Sequence, residues 1–191
     1  MDKHYNETPV VSMRNITKRF GDKEVLSNIN FDLHKSEVHA LLGENGAGKT
    51  TLMNILYGMF APTDGAITIN DKTYANMTPK KAIDLGIGMV HQHFMLIEPL
   101  TVTENIILGY EEDTGLFLNR KKAREKIKDL TYEYGLDINP DSKIEDISVG
   151  QQQRVEILKA LYRGADVLIF DEPTAVLTPQ EIKEFIDLSL I

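Results

Sequence analysis

The sequence predicts an α/β fold in which a glycine-rich turn joins a β-strand to an α-helix. Short apolar or alternating runs typical of strands recur at residues 10–16, 25–33, 37–42, 66–69, 87–90 and 167–170. Residues 50–57 instead have helical spacing, with Leu52, Ile55 and Leu56 on one face. Residues 37–42 read as a short buried strand that leads into the turn. The wholly apolar run 167–170 is typical of a strand in the middle of a sheet that is covered on both faces.

Composition excludes several classes of protein. The chain has 191 residues, a formal net charge of -8 and no cysteine, so we expect one domain of ordinary size with no disulfide framework and no thiolate metal site. The acidic balance argues against a broad nucleic-acid footprint. Residues 1–9 lack the apolar core of a signal peptide, and no run approaches the length of a membrane span. If this protein works at a membrane, we therefore expect it to do so by docking to something already there.

The glycine-rich turn, residues 43–51 (Gly-Glu-Asn-Gly-Ala-Gly-Lys-Thr-Thr), fits the phosphate-binding pattern G-x-x-x-x-G-K-[ST]. A strand, a glycine loop and a helix in that order aim several backbone N–H groups and the positive end of a helix dipole at one anion. We expect Lys49 to contact the β- and γ-phosphate oxygens of a nucleotide, and the Thr50 hydroxyl to bind Mg²⁺.

Two acids, Asp171 and Glu172, directly follow the apolar run 167–170. Ligands of open α/β sheets bind outside the carboxyl ends of the strands, which is the edge where the phosphate loop lies. There Asp171 can hold Mg²⁺ and Glu172 can activate a water molecule as general base. The alternative is a pair of solvated acids at a strand end, which the accompanying phosphate loop disfavours.

Helices dominate residues 101–164. Thr101 or Thr103 can cap a short helix, and Asn119 can cap a longer one whose second face is basic. That basic face is either solvated or a docking surface for a partner. Ser148 and Gln151 form a capping box that starts the next helix. Outside this region, Thr78 with the following proline starts a helix that ends at Gly86, and residues 178–181 start a final helix.

Residues 147–161 (Ile-Ser-Val-Gly-Gln-Gln-Gln-Arg-Val-Glu-Ile-Leu-Lys-Ala-Leu) resemble the signature segment of ATP-binding-cassette (ABC) ATPases. The order of motifs is also that family's: phosphate loop, glutamine loop at Gln92, signature segment, then Asp-Glu-Pro-Thr at 171–174. Residues 88–109 and 171–182 look most like the ATPase subunits of simple-sugar and nucleoside importers. The resemblance covers about residues 10–188. It implies a P-loop NTPase fold of ABC type: residues 1–100 an antiparallel β part and P-loop core of a mixed central sheet, 101–164 an inserted α-helical subdomain, and 165–191 a return to an incomplete core.

The resemblance also implies the site. The chain would bind ATP and Mg²⁺, with Glu172, Gln92 and Lys49 as catalytic residues and Thr50, Gln92 and Asp171 at the metal. Phe20 would stack on adenine, although a plain core aromatic fits its sequence context as well. The signature segment would bind the γ-phosphate of a nucleotide held by a partner domain. The predicted nucleotide-binding residues are Phe20, Gly43, Glu44, Asn45, Gly46, Ala47, Gly48, Lys49, Thr50, Thr51, Ser148, Gly150 and Gln151.

Two departures from the family pattern stand out. Val149 occupies a position that usually holds glycine, and all five histidines precede Asp171, so the family's γ-phosphate-sensing histidine is missing. We therefore expect a C-terminally truncated first cassette of a longer subunit. The alternative is a nucleotide-binding fragment with little or no ATPase activity. His91 and His93 flank Gln92, but without a third nearby ligand a metal site there is disfavoured.

The expected function is ATP hydrolysis that energises import of a sugar or nucleoside. The expected partners are a second cassette, in the same longer chain or in a homodimer, transmembrane permease subunits and, indirectly, an extracellular or periplasmic solute-binding protein. No nucleic acid is expected, and the location would be cytoplasmic, on the inner face of the membrane. Residues 94–99 are unusually apolar for a loop, so they either dock to the permease or pack inside the helical subdomain. DNA-repair relatives are disfavoured because no sustained heptads occur, and a GTPase because N-K-x-D is absent; the residues around Gln92 argue against translation-associated cassettes.

Overall fold

The computed structural model describes residues 8–90, 95–110 and 120–171. The chain forms two compact units, the first ending at Leu85 and the second beginning at Gly86. Both units combine helices with strands, as the predicted α/β class requires. The predicted division at residues 100 and 164 stays a prediction.

The first unit is built on an antiparallel sheet of four strands in the order β2-β1-β3-β4. Alternating apolar residues of β1 and β3 are fully buried and form its core together with one face of a helix. The strands are β1 (Val11–Phe20), β2 (Lys23–Leu33), β3 (Asp64–Ile69) and β4 (Lys72–Tyr74).

The register of the β1–β2 pair is irregular. It shifts between Met13 and Ile16, between Ile16 and Lys18 and between Lys18 and Arg19. Asn15 and Asn28 have left-handed backbones near the shift, with φ of 53° and 52°, which asparagine tolerates better than most residues. The Asn15 N–H donates to the Asn30 side chain at 2.9 Å, so its backbone keeps a partner where the ladder is interrupted.

Two helices of this unit begin where the sequence predicts. In α1 (Lys49–Tyr57) the predicted apolar face is buried. In α2 (Pro79–Asp84) Thr78 is the N-cap, its hydroxyl accepting the Lys81 N–H at 3.2 Å, and proline holds the first helical position. The helices touch through backbone at Gly58, where a Cβ would lie 2.6–2.7 Å from main-chain atoms of Thr78. Glycine is therefore required at the end of α1.

Residues 37–42 correct the prediction of a buried strand before the turn. They have no strand assignment and are exposed, with Val38 61%, Leu41 36% and Leu42 90% accessible. An apolar run becomes a buried strand only where a neighbouring strand supplies backbone hydrogen bonds. Within the part of the chain that the structure describes, no strand pairs with this run.

The second unit contains a parallel pair of strands and three helices. β5 (Ile87–Val90) is wholly buried, as predicted, and pairs with β6 (Val167–Phe170). Helices α3 (Val102–Ile107), α4 (Arg120–Glu133) and α5 (Val149–Tyr162) pack around one apolar core. A 3₁₀ turn, Ile144–Asp146, precedes α5. No helix among the described residues is both long and apolar enough to cross a membrane.

Strand β6 corrects a second prediction. Of its four residues only Ile169 is buried, and β5 is its one partner within the described ranges. The apolar run therefore does not lie in the middle of a covered sheet here. A wholly apolar strand is typical of a wide, covered sheet, but it is buried only when other strands and helices of the chain pack around it.

The helix starts of this unit also follow the sequence. Thr101 forms a complete capping box with Glu104, and Ser148 forms one with Gln151. The predicted cap Asn119 lies outside the described residues.

The basic face of α4 is partly engaged within the protein. Arg120 pairs with Glu104, Arg124 pairs with Asp141, and the Lys126 ammonium lies 4.2 Å from the Tyr162 ring centroid. Three of the basic side chains on this face therefore interact with other residues of the second unit.

Candidate functional site

The phosphate-loop motif forms an open turn that ends at the start of α1. Gly46 and Gly48 have φ of 82° and 94°, a left-handed backbone that glycine adopts without the Cβ penalty. Gly48 is the N-cap of α1 and provides no side-chain acceptor, whereas Thr78, Thr101 and Ser148 cap their helices. The first N–H groups of a helix lack intrahelical acceptors, so the start of α1 suits an anion.

Lys49 folds back over this turn. Its ammonium donates to the carbonyl oxygens of Gly43 at 2.7 Å and Glu44 at 2.9 Å. The turn is also closed by the Ala47 N–H, which donates to the Glu44 carbonyl at 3.2 Å. Asn45 lies at the exposed tip. The Lys49 ammonium is thus held against the turn, where phosphate oxygens could replace its carbonyl acceptors.

Close packing joins the turn to strand β2. A Cβ on Gly48 would lie 2.6 Å from Leu26 Cδ2 and 3.2 Å from the Val25 carbonyl oxygen. Leu26 pairs with Lys18 in β1, two residues before Phe20. Phe20, at the end of β1, is 44% exposed. The turn and the predicted base-stacking aromatic therefore belong to the same unit, with β2 between them.

The residues predicted to hold Mg²⁺ offer oxygen ligands, which this ion prefers. Thr50 is exposed in the first turn of α1, and Thr51 follows it, half-buried. Asp171 follows β6 in the second unit, where its N–H donates to the Val90 carbonyl at 3.2 Å. A hydroxyl and a carboxylate suit the ion. Gln92 and Glu172 lie outside the described residues.

The signature segment forms the N-terminus of α5. The Ser148 hydroxyl accepts the Gln151 N–H at 3.2 Å, and the side-chain amide oxygen Oε1 of Gln151 accepts the Ser148 N–H at 3.0 Å. Gly150 is buried, whereas Val149, the departure from the family pattern, is 45% exposed. The hydroxyl that is predicted to bind a phosphate here already caps the helix.

Two buried polar side chains that sequence reasoning did not single out shape residues 95–101. Glu156 is 6% exposed and its carboxylate accepts the Met95 N–H at 3.0 Å. Asn105 is 2% exposed; its side chain accepts the Ile97 N–H at 2.7 Å and donates to the Ile97, Leu100 and Thr101 carbonyls. Each is a polar residue among the apolar positions of a helix, and a buried polar side chain needs a hydrogen-bond partner, so this pattern could have identified them from the sequence.

The apolar side chains of this segment are divided between exposed and packed positions. Met95 and Ile97 are 71% and 44% exposed, while Leu96 packs against the core of the second unit. Phe94 lies outside the described residues. The segment therefore presents two apolar side chains from a backbone that is held in place.

The sequence matches the ABC transporter family over residues 26–175. The chain belongs to the ABC transporter family. It is 60% identical over 183 residues to the nucleoside import ATP-binding protein NupA of Lactococcus lactis subsp. cremoris, covering 96% of this chain and 36% of that protein. It is 56% identical over 179 residues to the guanosine import ATP-binding protein NupO of Bacillus subtilis, covering 94% and 35%. The chain thus spans about a third of the length of these relatives.

Solved structures confirm the predicted fold class. The ADP conformation of MJ1267, an ATP-binding cassette of an ABC transporter, matches with a TM-score of 0.84 and 25% identity over 96% of this chain and 76% of that one. A dimeric structure of MJ0796, a bacterial ABC transporter cassette, matches with a TM-score of 0.74 and 27% identity over 93% and 80%.

Proposed function

We propose that residues 43–51 bind the phosphates of ATP. The observation that supports this most directly is the start of α1, where a left-handed glycine replaces the side-chain cap found on α2, α3 and α5. Lys49 would exchange its two carbonyl acceptors for phosphate oxygens, and the helix N-terminus would add its dipole. Phe20 would stack on the base, and the Thr50 hydroxyl would ligate Mg²⁺.

The experiment is titration calorimetry of this chain with Mg-ATP. Lys49→Met should weaken binding by about tenfold or more, because it removes a charge-assisted contact with the phosphates. Lys80→Met is the matched control: Lys80 is an exposed lysine of the same unit, on α2, and its loss should leave affinity unchanged. Absence of any binding heat with the unmodified chain would refute the proposed nucleotide site.

We propose that the whole protein is an ATP-hydrolysing subunit that energises import of a nucleoside or a sugar. The relatives named above are nucleoside and guanosine import ATP-binding proteins, which favours a nucleoside. Asp171 and Gln92 are the other predicted Mg²⁺ ligands, and Glu172 would activate the attacking water. The ion would neutralise charge on the phosphates during hydrolysis. Glu172→Gln should abolish hydrolysis while leaving nucleotide binding intact.

A dimer of cassettes would work against transmembrane permease subunits at the inner face of the membrane, with a solute-binding protein acting indirectly. Ser148, Gly150 and Gln151 would meet the nucleotide of the opposite cassette, which requires the Ser148 hydroxyl to leave its cap. The dimeric cassette MJ0796 supports such an assembly.

The exposed side chains of Met95 and Ile97 are the proposed permease contact. In the full-length importer, Met95→Glu should retain ATP binding and lose solute uptake. Tyr132→Glu, at a 92% exposed position of α4, is the control and should support normal uptake. Uptake that is unchanged in Met95→Glu would exclude this contact.

A second candidate function is nucleotide binding without turnover by these 191 residues alone. Val38, Leu41 and Leu42, immediately before the phosphate loop, are exposed, which favours this candidate. Because the segment before the loop pairs with no strand among the described residues, the loop is held less rigidly in the geometry that hydrolysis needs. Hydrolysis by this chain that disappears in Glu172→Gln would refute that candidate.

A further inference from the structure

Two aromatic rings and one ammonium form a partly exposed cluster in the first unit, which we call the aromatic corner (Lys18, Phe20 and Phe60). The Phe20 and Phe60 rings are 5.5 Å apart between centroids and nearly perpendicular, at 84°. The Lys18 ammonium lies 4.9 Å from the Phe20 centroid and 5.8 Å from that of Phe60. Both rings remain exposed, Phe20 at 44% and Phe60 at 37%. An aromatic pair that served only the core would be buried.

Hydrogen bonds hold the backbone around the aromatic corner. Lys18 donates to the Ala61 carbonyl at 2.6 Å, which ties β1 to the segment that follows α1. The Phe60 N–H donates to the Asn54 carbonyl at 3.3 Å, and the Thr63 N–H donates to a β1 carbonyl at 2.8 Å. Because these bonds hold the backbone that carries the two rings, a ligand that stacks against them has little chain to order on binding.

The aromatic corner and the phosphate loop are both next to the β1–β2 hairpin. Gly48 packs on Leu26, and Leu26 is the β-sheet partner of Lys18. Phe20 follows two residues later, roughly 7 Å along β1. Phe60 follows α1, the helix that the phosphate loop begins. A nucleotide with its phosphates on the loop would therefore extend its base along this hairpin.

We propose that Phe60 is a second wall of the nucleobase subsite, and that Lys18 is a positioning residue that holds both rings. This inference rests on the proposed nucleotide site. A flat base stacked on Phe20 lies perpendicular to Phe60, and edge-to-face contact is a favoured geometry for aromatic rings. Lys18 occupies one face of Phe20, so the base takes the other. Because a purine covers more of both rings than a pyrimidine does, the corner selects purine nucleotides.

Calorimetric titration with three magnesium complexes tests the proposal: ATP, CTP and inorganic triphosphate, which has no base. Phe60→Leu should weaken ATP by roughly three- to tenfold, weaken CTP less, and leave inorganic triphosphate unchanged. The control is Tyr74→Leu, which removes another ring of this unit that has a lysine over it, Lys81 at 5.4 Å; it should leave all three affinities unchanged.

Lys18 is tested with two variants. Lys18→Met keeps the aliphatic stem but loses the bond to Ala61, so ATP affinity should fall while that of inorganic triphosphate stays constant. Lys18→Arg keeps a cation and a donor, so it should restore ATP affinity. A fall in affinity for inorganic triphosphate in Lys18→Met would overturn the positioning role, because it would show a direct phosphate contact.

The outcomes separate this inference from the function on which it rests. Equal ATP affinity in Phe60→Leu and the unmodified chain overturns the second wall. An equal loss of affinity for ATP and for inorganic triphosphate in Phe60→Leu also overturns it, with one exception. If Phe60→Tyr, which keeps the ring, restores both affinities, the second wall stands only when that variant binds ATP more tightly than CTP. An unmodified chain that binds inorganic triphosphate and ATP equally retains its phosphate site and loses the base subsite. A chain that binds none of the three loses the nucleotide site itself.

Discussion

Adding one methyl group at Gly48 tests the link between the phosphate loop and strand β2. The backbone of Gly48 has a φ of 94°, which costs an L-residue about 1–2 kcal/mol. The new Cβ would lie 2.6 Å from Leu26 Cδ2 and 3.2 Å from the Val25 carbonyl oxygen. Moving the Leu26 side chain off its rotamer adds about 0.5–1.5 kcal/mol. Gly48→Ala should therefore cost about 1.5–3.5 kcal/mol, through strain, displacement of the loop, or both.

The assay is calorimetric affinity for Mg-ATP together with denaturant unfolding. If the loop moves to relieve the contact, the cost appears as a loss of affinity of roughly 10- to 300-fold, since about 1.4 kcal/mol corresponds to tenfold. Gly164→Ala is the control: φ there is 82° and nothing lies within 4 Å of the added atom. It should lower stability by about 1–2 kcal/mol and leave affinity unchanged.

A rescue variant separates the contact from the backbone strain. Leu26→Val removes both Cδ atoms, so Gly48→Ala combined with Leu26→Val should recover part of the lost affinity. Wild-type affinity together with a wild-type unfolding free energy in Gly48→Ala would refute the close packing of the loop on β2. Failure of the double variant to improve on the single one would assign the whole effect to the backbone.

Three further variants concern the second unit. Thr101→Ala should lower its unfolding free energy by about 1 kcal/mol. The Thr101 backbone N–H and hydroxyl lower the pKa of Glu104, and the variant loses only the hydroxyl. The part of the difference that depends on the hydroxyl should therefore be present above about pH 4.3 and shrink as pH falls further in denaturant titrations. Glu156→Leu should lower the unfolding free energy by about 1–3 kcal/mol, because it leaves the Met95 N–H without its acceptor. Amide exchange at Met95 should be faster in this variant and unchanged in Glu156→Gln, which keeps an acceptor. Gly88→Ala should cost about 1–3 kcal/mol, since its Cβ would lie 2.8 Å from a helix α5 side chain; an unchanged denaturation midpoint would contradict this packing.

Features set by a few neighbouring residues were predictable from the sequence. The caps at Thr78, Thr101 and Ser148 formed where expected, because a cap needs only a side chain and an amide three residues away. The buried face of α1 follows from its spacing in the same way. The phosphate-loop geometry at Gly48 depends on the glycine itself, so the motif alone indicated it.

Features that depend on distant partners were not predictable. Residues 37–42 have the apolar pattern of a buried strand, but pairing is a property of a second segment, and none pairs with them among the described residues. Glu156 bonds to an amide 61 positions earlier in the chain, so only the assembled unit shows what it does. The packing of Phe60 on Phe20 spans 40 positions in the same way.

The main-chain contact between Gly58 and Thr78 has a mechanical consequence. Side chains can rotate to absorb a shift, but two backbones at that separation cannot approach further. A ligand that pushes α1 along its axis toward Thr78 would therefore also displace the start of α2, so the two helices would move together.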